Sequence, residues 1–272
     1  TLWLTNDGGV WKTSDGGQHW QNMNTNLSIT QFYSVAVHPT LPIGLIGGTQ
    51  DNGTLSYAGA SVWPQVVGGD GGDCLYLWND PNISFTTYVR LDPIFKWGSG
   101  GSLGSITGPW VGAFDRASFV HGPLVQDPST PNTLLAGTYR VWRTADQGAS
   151  WTSLSGDLAG GADVIYSLAV APGFPNTIYT GCSNGRVWVT TDGVIWNERH
   201  AGLPLRAIGD IVVSPASSPT AYLCADTTAG GRVWLTANAG ASWTDVSGDL
   251  PAGVRGMSLA VDFASSPVVL CF

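Results

Sequence analysis

The residues best suited to chemistry are aspartates in glycine-rich segments of the first half of the chain. Asp51 begins an Asp-Asn-Gly sequence, Asp70 lies between two glycine pairs, and Asp73 follows shortly after. Two carboxyl groups facing each other across an open cleft can act as acid and base in glycoside cleavage. Carboxylates can also hold Ca²⁺. For a hydrolase, the carboxylates expected to take part are Asp7, Asp51 and Asp70.

The same residues have a purely structural interpretation, because Asp, Asn and Gly are the residues of tight turns. A second region of interest, residues 98 to 119, combines Gly and Ser with Trp110 and Phe114. It is expected to be a loop with exposed rings that stack on sugars, or else an irregular outer strand. The side chains expected to contact a ligand are Asp51, Asn52, Asp70, Asp73, Trp110, Asp115 and Arg116. No cofactor and no metal site is expected, although Ca²⁺ in the Asp loops stays an open alternative.

An eight-residue stretch, Thr13–Trp20, recurs along the chain and must set the elements that position these loops. Further copies are Thr144–Trp151, Thr236–Trp243 and the shorter Thr190–Trp196, with fainter copies at 56–63 and 90–97. We call the first four the repeated turns. Repetition favours a structural role, since a single active site needs no copies. The residues assigned to this role are Thr13, Asp15, Gly17, Trp20, Thr144, Asp146, Gly148, Trp151, Asp192, Trp196, Asn238, Gly240 and Trp243.

The composition of the repeated turns predicts their geometry. A short carboxylate two residues after a Thr can accept hydrogen bonds from nearby backbone N–H groups. The Gly provides the positive φ that a hairpin requires. The Trp is expected to be buried under the turn and to anchor it.

A second repeat is an apolar strand that ends near a proline, as in Tyr33–Pro39, Tyr166–Pro172 and Gly209–Pro215. Marks of this kind at positions 39, 81, 128, 172, 215 and 263, the last with Phe in place of Pro, recur every 42 to 48 residues. Such a period, made of short strands, is typical of β-propeller blades. Each period is read as four strands, A to D, with strand A innermost.

The chain is therefore predicted to be all-β, a single β-propeller domain over residues 1–272. The first blade lacks a strand A, which the tail from Gly256 to Val261 can supply, closing a ring of six blades. This leaves one strand B too many. A seven-bladed ring, or a fragment of a longer propeller, is the alternative.

Composition excludes several functional classes. The chain has 11 Lys and Arg against 19 Asp and Glu, a net charge of −8, and no stretch of about 18 apolar residues. We therefore expect no nucleic-acid binding and no membrane insertion. The four cysteines lack C-x-x-C spacing, and Cys182, Cys224 and Cys271 fall in matching strands, so buried free thiols are expected.

The T-x-D-x-G-x-x-W pattern beginning at Thr13 and Thr144, kept with Asn for Asp at Thr236, resembles the Asp-box, or BNR, repeat of β-propellers. Proteins with that repeat include sialidases, xyloglucan-cleaving hydrolases, sortilin-type receptors and photosystem II assembly factors. The segments 47–53 and 68–72 also resemble those of secreted bacterial BNR-repeat proteins of the WD40/YVTN/BNR-like kind. A sialidase needs an arginine cluster and a glutamate beside its tyrosine, whereas the single glutamate here is Glu198.

Xyloglucan-cleaving enzymes carry an acid ahead of a Gly-Gly pair in an early blade and use two propellers. Asp7 lies near that pattern, one residue out of place, and the chain supplies one propeller. The resemblance thus implies a non-catalytic extracellular or cell-surface binding or scaffold module, with a glycan or protein ligand on the channel face. A glycoside hydrolase and a structural subunit of an extracellular assembly are the alternatives, and the oligomeric state is open.

Overall fold

The fold is an all-β propeller. The computed structural model describes residues 1–6, 9–25, 30–228, 230–251, 253–263 and 268–271, with the backbone alone for residue 6 and residues 268–271. The helical segments of this part are a 3-10 turn, Val89–Leu91, and the four-residue helix α1, Pro109–Gly112. None of the helices in the described residues has the length and apolarity needed to cross a membrane.

In the described part of the chain, twenty-five strands form seven antiparallel sheets in chain order. The first sheet has three strands: β1 (Leu2–Asn6), β2 (Gly9–Thr13) and β3 (Gln21–Asn22). The second has β4 (Phe32–Val37), β5 (Gly44–Thr49), β6 (Gly53–Ala58) and β7 (Gln65–Val67). The third has β8 (Cys74–Tyr76), β9 (Ser84–Thr87), β10 (Ile94–Gly98) and β11 (Gly101–Ile106).

The fourth sheet has β12 (Leu124–Gln126), β13 (Leu134–Gly137), β14 (Val141–Thr144) and β15 (Thr152–Ser153). The fifth has β16 (Ile165–Ala171), β17 (Phe174–Cys182), β18 (Val187–Thr190) and β19 (Asn197–Glu198). The sixth has β20 (Ile208–Val213), β21 (Ala221–Ala225), β22 (Val233–Thr236) and β23 (Thr244–Asp245). The tail has β24 (Leu259–Asp262) and β25 (Val268–Cys271).

The predicted propeller of four-stranded blades is confirmed. Five sheets have four strands in the order A-B-C-D, and the three-stranded first sheet lacks strand A, as predicted. The sheet of β24 and β25 supplies the predicted strand A and the surplus strand B. Among the described residues it is separate from the sheet of β1 to β3, and completion of the first blade by the tail stays a prediction.

The core lies between successive blades. One apolar cluster joins Tyr179 and Val187 of the fifth sheet to Ile211 and Leu223 of the sixth, all of them buried. Because both faces of a blade are covered by its neighbours, strand B is buried on both sides, and all five residues of β21 are buried. Isolated four-stranded sheets are marginal, so this contact between blades holds the ring together.

The repeated turns have the predicted geometry and join strand C to strand D. The Asp146 carboxylate accepts hydrogen bonds from the Thr144 hydroxyl (2.6 Å) and from the Ser150 backbone N–H (2.9 Å). The Thr144 hydroxyl oxygen in turn accepts the Gly148 N–H at 2.9 Å, and Gly148 has a φ of 92°. In the repeated turn that begins at Thr236, Asn238 stands in the position of the aspartate. Its side-chain amide oxygen accepts the Ser242 N–H at 2.9 Å.

The tryptophans of the repeated turns contact the preceding blade. The indole N–H of Trp196 donates to the Leu154 carbonyl at 3.0 Å, and that of Trp243 donates to the Arg199 carbonyl at 2.7 Å. These rings are half-buried, whereas Trp20 of the first sheet is 42% exposed, so the prediction that it is buried is wrong. No carbonyl in the described residues takes the Trp20 N–H, and the ring is left at the surface.

One of the two fainter copies of the repeated turn is wrongly placed. Residues 56–63 do join strand C to strand D of the second sheet, with Trp63 stacked on Tyr57 at 4.7 Å between ring centroids. Residues 90–97, by contrast, form the connection from strand B to strand C and most of β10. The true hairpin of that sheet has only Ser99 and Gly100 between the paired residues Gly98 and Gly101.

Replacing Thr144 by Val is expected to lower the free energy of unfolding by about 1–3 kcal/mol, because a buried N–H loses its acceptor. Thr144 is 1% exposed, and its hydroxyl is the acceptor of the Gly148 N–H. Urea unfolding of the two proteins measures the difference. Val194→Ala, a 76% exposed position in another repeated turn, is the control and should change stability by less than about 0.5 kcal/mol. Equal stabilities of wild type and Thr144→Val would contradict the structural role of the hydroxyl.

The predicted free thiols are confirmed for the three cysteines whose side chains are described. Cys74, Cys182 and Cys224 are buried and form no disulfide. Burial raises the pKa of the Cys182 thiol to about 12, so that this group stays protonated at neutral pH. Cys271 lies outside the residues with described side chains.

Candidate functional site

A cavity of about 550 Å³ opens on the axis of the ring, at the end where the innermost strands begin. The residues that line it lie in the inner strands, or just before them, of six successive sheets. These are the second to the sixth sheets and the two-stranded sheet of the tail. The connections from strand B to strand C and from one blade to the next also lie at this end of the ring. This end is the channel face, where the ligand was expected. The cavity is lined by Gln31, Phe32, Tyr33, Ser34, Val35, Asp73, His121, Pro123, Val125, Tyr166, Ser167, Leu168, Gly209, Asp210, Met257 and Ser258.

Two aspartates occupy equivalent positions on the wall of this cavity. Asp73 directly precedes Cys74 on its inner strand, and its carboxylate accepts the backbone N–H of Leu124 on the next inner strand at 3.1 Å. Asp210 repeats the contact three sheets further on and accepts the N–H of Leu259 at 3.0 Å. Each carboxylate thus fastens one inner strand to the next. In a propeller of six or seven blades, a separation of three sheets places the two groups across the channel from each other.

Both carboxyl groups have raised pKa values. Burial raises the pKa of Asp73 to about 7, and the negative charge of Asp210 adds to the shift while the Leu124 N–H opposes it. Burial likewise raises the pKa of Asp210, against the hydrogen bonds from Leu259, Ile211 and Ser258. A carboxyl group that is protonated near neutral pH can donate as well as accept a hydrogen bond.

Three aromatic side chains form a row at the mouth of the cavity. The His121 ring contacts the Tyr33 ring edge-on, with 5.6 Å between centroids, and the Tyr166 ring at 4.9 Å. Burial lowers the pKa of His121, so its imidazole is neutral at neutral pH. Burial raises the pKa of Tyr33, as do the nearby charges of Asp70 and Asp51. The cavity is thus walled by two carboxyl groups and three rings, without a cation of its own among the described residues.

Asp51 and Asp70 lie together beside Tyr33, rather than facing each other across a cleft. One carboxylate oxygen of Asp70 accepts the backbone N–H of Asp51 at 2.8 Å, and Asp51 has a positive φ of 57°. Asn52 is also tied into this turn, since its side-chain amide donates to the Gln50 carbonyl at 3.0 Å. The Asp70 carboxylate therefore has a structural task, the fastening of one loop to another, in addition to any contact with a ligand.

Asp115 does not lie on the accessible wall of the channel, and its expected ligand contact is wrong. Its side chain has 0% exposure. The carboxylate accepts hydrogen bonds from the Thr138 hydroxyl (2.9 Å), the Arg140 guanidinium (3.0 Å) and the Trp142 indole (2.9 Å). With these donors in place, it holds the loop before β12 against the β13–β14 hairpin. Its neighbour Arg116 is half-exposed, pairs with Asp157 at 3.1 Å and covers the Tyr139 ring.

Trp110 is likewise not an exposed ring, so the prediction of a sugar-stacking platform is wrong at this residue. It is 2% exposed, lies in α1 and donates its indole N–H to the Leu91 carbonyl at 3.3 Å. Its ring contacts Trp151 at 5.0 Å and Trp142 at 6.1 Å between centroids. Phe114, in contrast, is 91% exposed. The irregular outer strand, β11 over Gly101–Ile106, was the alternative, and it is what the structure shows.

Among the remaining candidates, Asp7 lies outside the described residues. The described residues contain no group of three or more His, Cys, Asp or Glu side chains placed to hold a metal ion. The ligand residues expected from the sequence did not include Tyr33, His121, Tyr166 or Asp210. The sequence does contain a signal for Asp210. It stands where the aligned inner strands have Ser34 and Ser167, and a carboxylate in an apolar strand indicates a specific role.

No protein-family model matches the chain, and no curated protein matches its sequence. Solved structures with the same fold include an ancestral GH74 enzyme, with a TM-score of 0.64 and 15% sequence identity over 96% of this chain. The GH74 xyloglucanase from Xanthomonas campestris has a TM-score of 0.60 and 19% identity over 85% of this chain. The chain spans 40% of the length of each of these two enzymes.

A third similar structure is YCF48 bound to D1 peptide, with a TM-score of 0.58 and 14% identity. That alignment covers 95% of this chain and 82% of the YCF48 chain. At these identities the likeness concerns the fold alone. It establishes a β-propeller module, of a kind found both in carbohydrate-cleaving enzymes and in a peptide-bound protein.

Proposed function

We propose that the chain is a non-catalytic binding module that holds a segment of a partner protein at the mouth of its channel. The observation that carries this proposal is the open cavity of about 550 Å³ at the loop-bearing end of the ring. Its size falls within the range of ligand pockets, and its exposed lining is more polar than apolar. A channel filled by side chains would have contradicted ligand binding at this position.

Two further observations favour a protein ligand over a glycan. Trp110, one of the two rings expected to stack on sugar, is buried, so only Phe114 of that pair is exposed. YCF48, whose chain aligns with this one over most of its length, is bound to a peptide. In this proposal the Asp-box resemblance explains the scaffold, and the ligand is selected by the channel wall and by the loop that holds Asp51 and Asp70. An extracellular or cell-surface location belongs to the proposal through that resemblance.

A glycoside hydrolase is the second candidate, supported by the fold shared with two GH74 enzymes and by the raised pKa of Asp73. A carboxyl group with a pKa near 7 can act as a general acid. Among the acids first considered, however, Asp51 and Asp70 lie side by side in two adjoining loops, which does not resemble two carboxylates flanking a scissile bond. Binding without chemistry is therefore the function that the geometry supports best.

The test is to incubate the labelled protein with an array of glycans and with a library of short peptides, and to measure bound protein and released reducing sugar together. We expect binding to peptides and no reducing sugar. Tyr166→Ala, at the channel mouth, should weaken that binding, and Val194→Ala, in a repeated turn on the opposite face, should not. Release of reducing sugar that disappears in Asp73→Asn would establish the hydrolase instead. Binding that survives Tyr166→Ala unchanged would remove the channel mouth from the proposal.

A further inference from the structure

We propose that the channel cavity is a cation site, which takes the ammonium or guanidinium group of a lysine or arginine side chain between Asp73 and Asp210. The proposal deepens the one above and rests on it, because the basic side chain is that of the bound partner segment. It names the chemistry by which the module selects its ligand, a basic residue inserted along the axis of the ring.

The first argument is uncompensated negative charge on the cavity wall. No lysine or arginine is among the residues that line the cavity, and within the described chain neither Asp73 nor Asp210 forms an ion pair. Two other aspartates near this face have cationic partners: Asp115 pairs with Arg140, and Asp226 with Arg255. Buried carboxylates are normally paired or coordinated, so two unpaired ones on a single cavity indicate that the missing partner comes from outside.

The second argument is an acceptor left over on Asp73. One carboxylate oxygen, Oδ2, accepts the Leu124 N–H, and no donor in the described residues reaches Oδ1. Because Asp73 lines the open cavity, this oxygen is accessible to a donor that enters the channel. A cationic N–H group in the cavity would satisfy this oxygen with a charge-assisted hydrogen bond, which is about twice as strong as a neutral one.

The third argument is the row of rings formed by Tyr33, His121 and Tyr166. Aromatic faces attract ammonium and guanidinium groups, and the attraction increases where water is excluded. The His121 ring lies 4.9 to 5.6 Å from its two neighbours, so the three rings form one continuous wall. A carboxylate pair together with an aromatic wall suits an organic cation. It suits a bare divalent metal less well, because the described residues offer no third ligand beside the two carboxylates.

Binding of a cation should be coupled to release of a proton. Asp73 must ionise to pair with the ligand, and burial holds its pKa at about 7. A ligand that favours the ionised form therefore binds more tightly as the pH rises through 7. We expect the affinity at pH 8 to exceed that at pH 6 by up to about tenfold, since one proton is involved.

The experiment is titration calorimetry of the purified chain with two acetylated and amidated pentapeptides that differ at one position. The first carries lysine between two glycines on each side, and the second carries norleucine, which has an uncharged side chain of similar length. We expect the lysine peptide to bind at least tenfold more tightly, and Asp73→Asn and Asp210→Asn each to reduce its affinity at least tenfold. Asp80→Asn, an aspartate in the turn between β8 and β9 on the opposite face, is the matched control and should bind as wild type.

Equal binding of the two peptides, or binding of neither, would overturn the proposal, as would an affinity that both channel variants leave unchanged. Each Asn variant keeps an amide oxygen to accept the Leu124 or Leu259 N–H, and thermal melting of the variants checks that they are folded. Tighter binding of free spermidine than of the lysine peptide would also overturn it, because the source of the cation would then be a small molecule. Peptide binding in the array that is blocked by Tyr166→Ala but insensitive to Asp73→Asn and Asp210→Asn would leave the proposed function standing and this inference refuted.

Discussion

Replacing Asp115 by Ala is expected to lower the free energy of unfolding by about 3–5 kcal/mol, the usual cost of leaving a buried charge without its partner. The Asp115 side chain has no exposed surface, and three donors converge on it from Thr138, Arg140 and Trp142. Truncation removes the acceptor for all three and leaves the Arg140 guanidinium, 26% exposed, in a largely enclosed site. Chemical unfolding followed by far-ultraviolet circular dichroism measures the loss.

Asp157 provides the matched control for this substitution. Its carboxylate pairs with Arg116 at 3.1 Å, yet the two side chains are 40% and 37% exposed, and exposed pairs of this kind contribute about 0–1 kcal/mol. Asp157→Ala should therefore be much milder than Asp115→Ala. Asp115→Asn should fall between them, since the amide keeps an oxygen acceptor but loses the charge. If Asp115→Ala and Asp157→Ala were equally stable, the fastening of the β13–β14 hairpin by Asp115 would be refuted.

The fold could be predicted from the sequence because each blade repeats local chemistry that needs no distant partner. The bonds among Thr144, Asp146 and Gly148 all lie within a single turn, and the positive φ of the Gly is a property of that residue. The proline that follows five of the six described inner strands also marks its own connection. Signals of this kind can be recognised in a single sequence. The strand order and the absence of strand A from the first sheet were predicted from them.

The errors arose where a residue's neighbours come from elsewhere in the chain. Trp110 stands among Gly, Ser and Pro and therefore reads as part of an exposed loop, but its ring packs on Trp142 and Trp151 of the next sheet. Residues 90–97 carry an acid and a Trp at nearly the repeat spacing, yet the sheet assigns them to an earlier position of the blade. Spacing alone does not distinguish the two ends of a strand.

The candidate site was only half predictable for the same reason. The propeller fold led us to expect the ligand on the channel face, and Asp73 was among the expected ligand residues. The opposing Asp210 and the rings of Tyr33, His121 and Tyr166 come from segments about 40 to 180 residues away from one another, and only the circular arrangement of the blades brings them to one cavity. Which carboxylates are free for a ligand depends on donors such as Arg140, and these contacts are tertiary.

The second large effect is expected from Asp73→Asn, which should make the protein more stable at pH 8 and should leave its stability at pH 3 nearly unchanged. The Asp73 carboxyl has a folded-state pKa of about 7 against an ordinary value of 3.8. Below pH 3.8 the group is protonated in both states and contributes no difference. As the pH rises from about 4 to 7, the unfolded chain loses this proton while the folded chain keeps it, so the stability of the wild type falls. The total loss is of the order of 4 kcal/mol, and it is complete above pH 7.

Asn carries no titrating proton, so the variant should lack this part of the pH dependence. Two other groups at the cavity titrate nearby, namely Asp210 across the channel, whose pKa is also raised, and His121, whose pKa is lowered. Both remain in the variant, and the difference between the two unfolding curves, measured in urea at each unit from pH 3 to 8, isolates Asp73. Asp80→Asn should follow the wild-type curve. A difference that stays constant with pH would mean that folding does not shift the pKa of Asp73, and this would contradict the prediction.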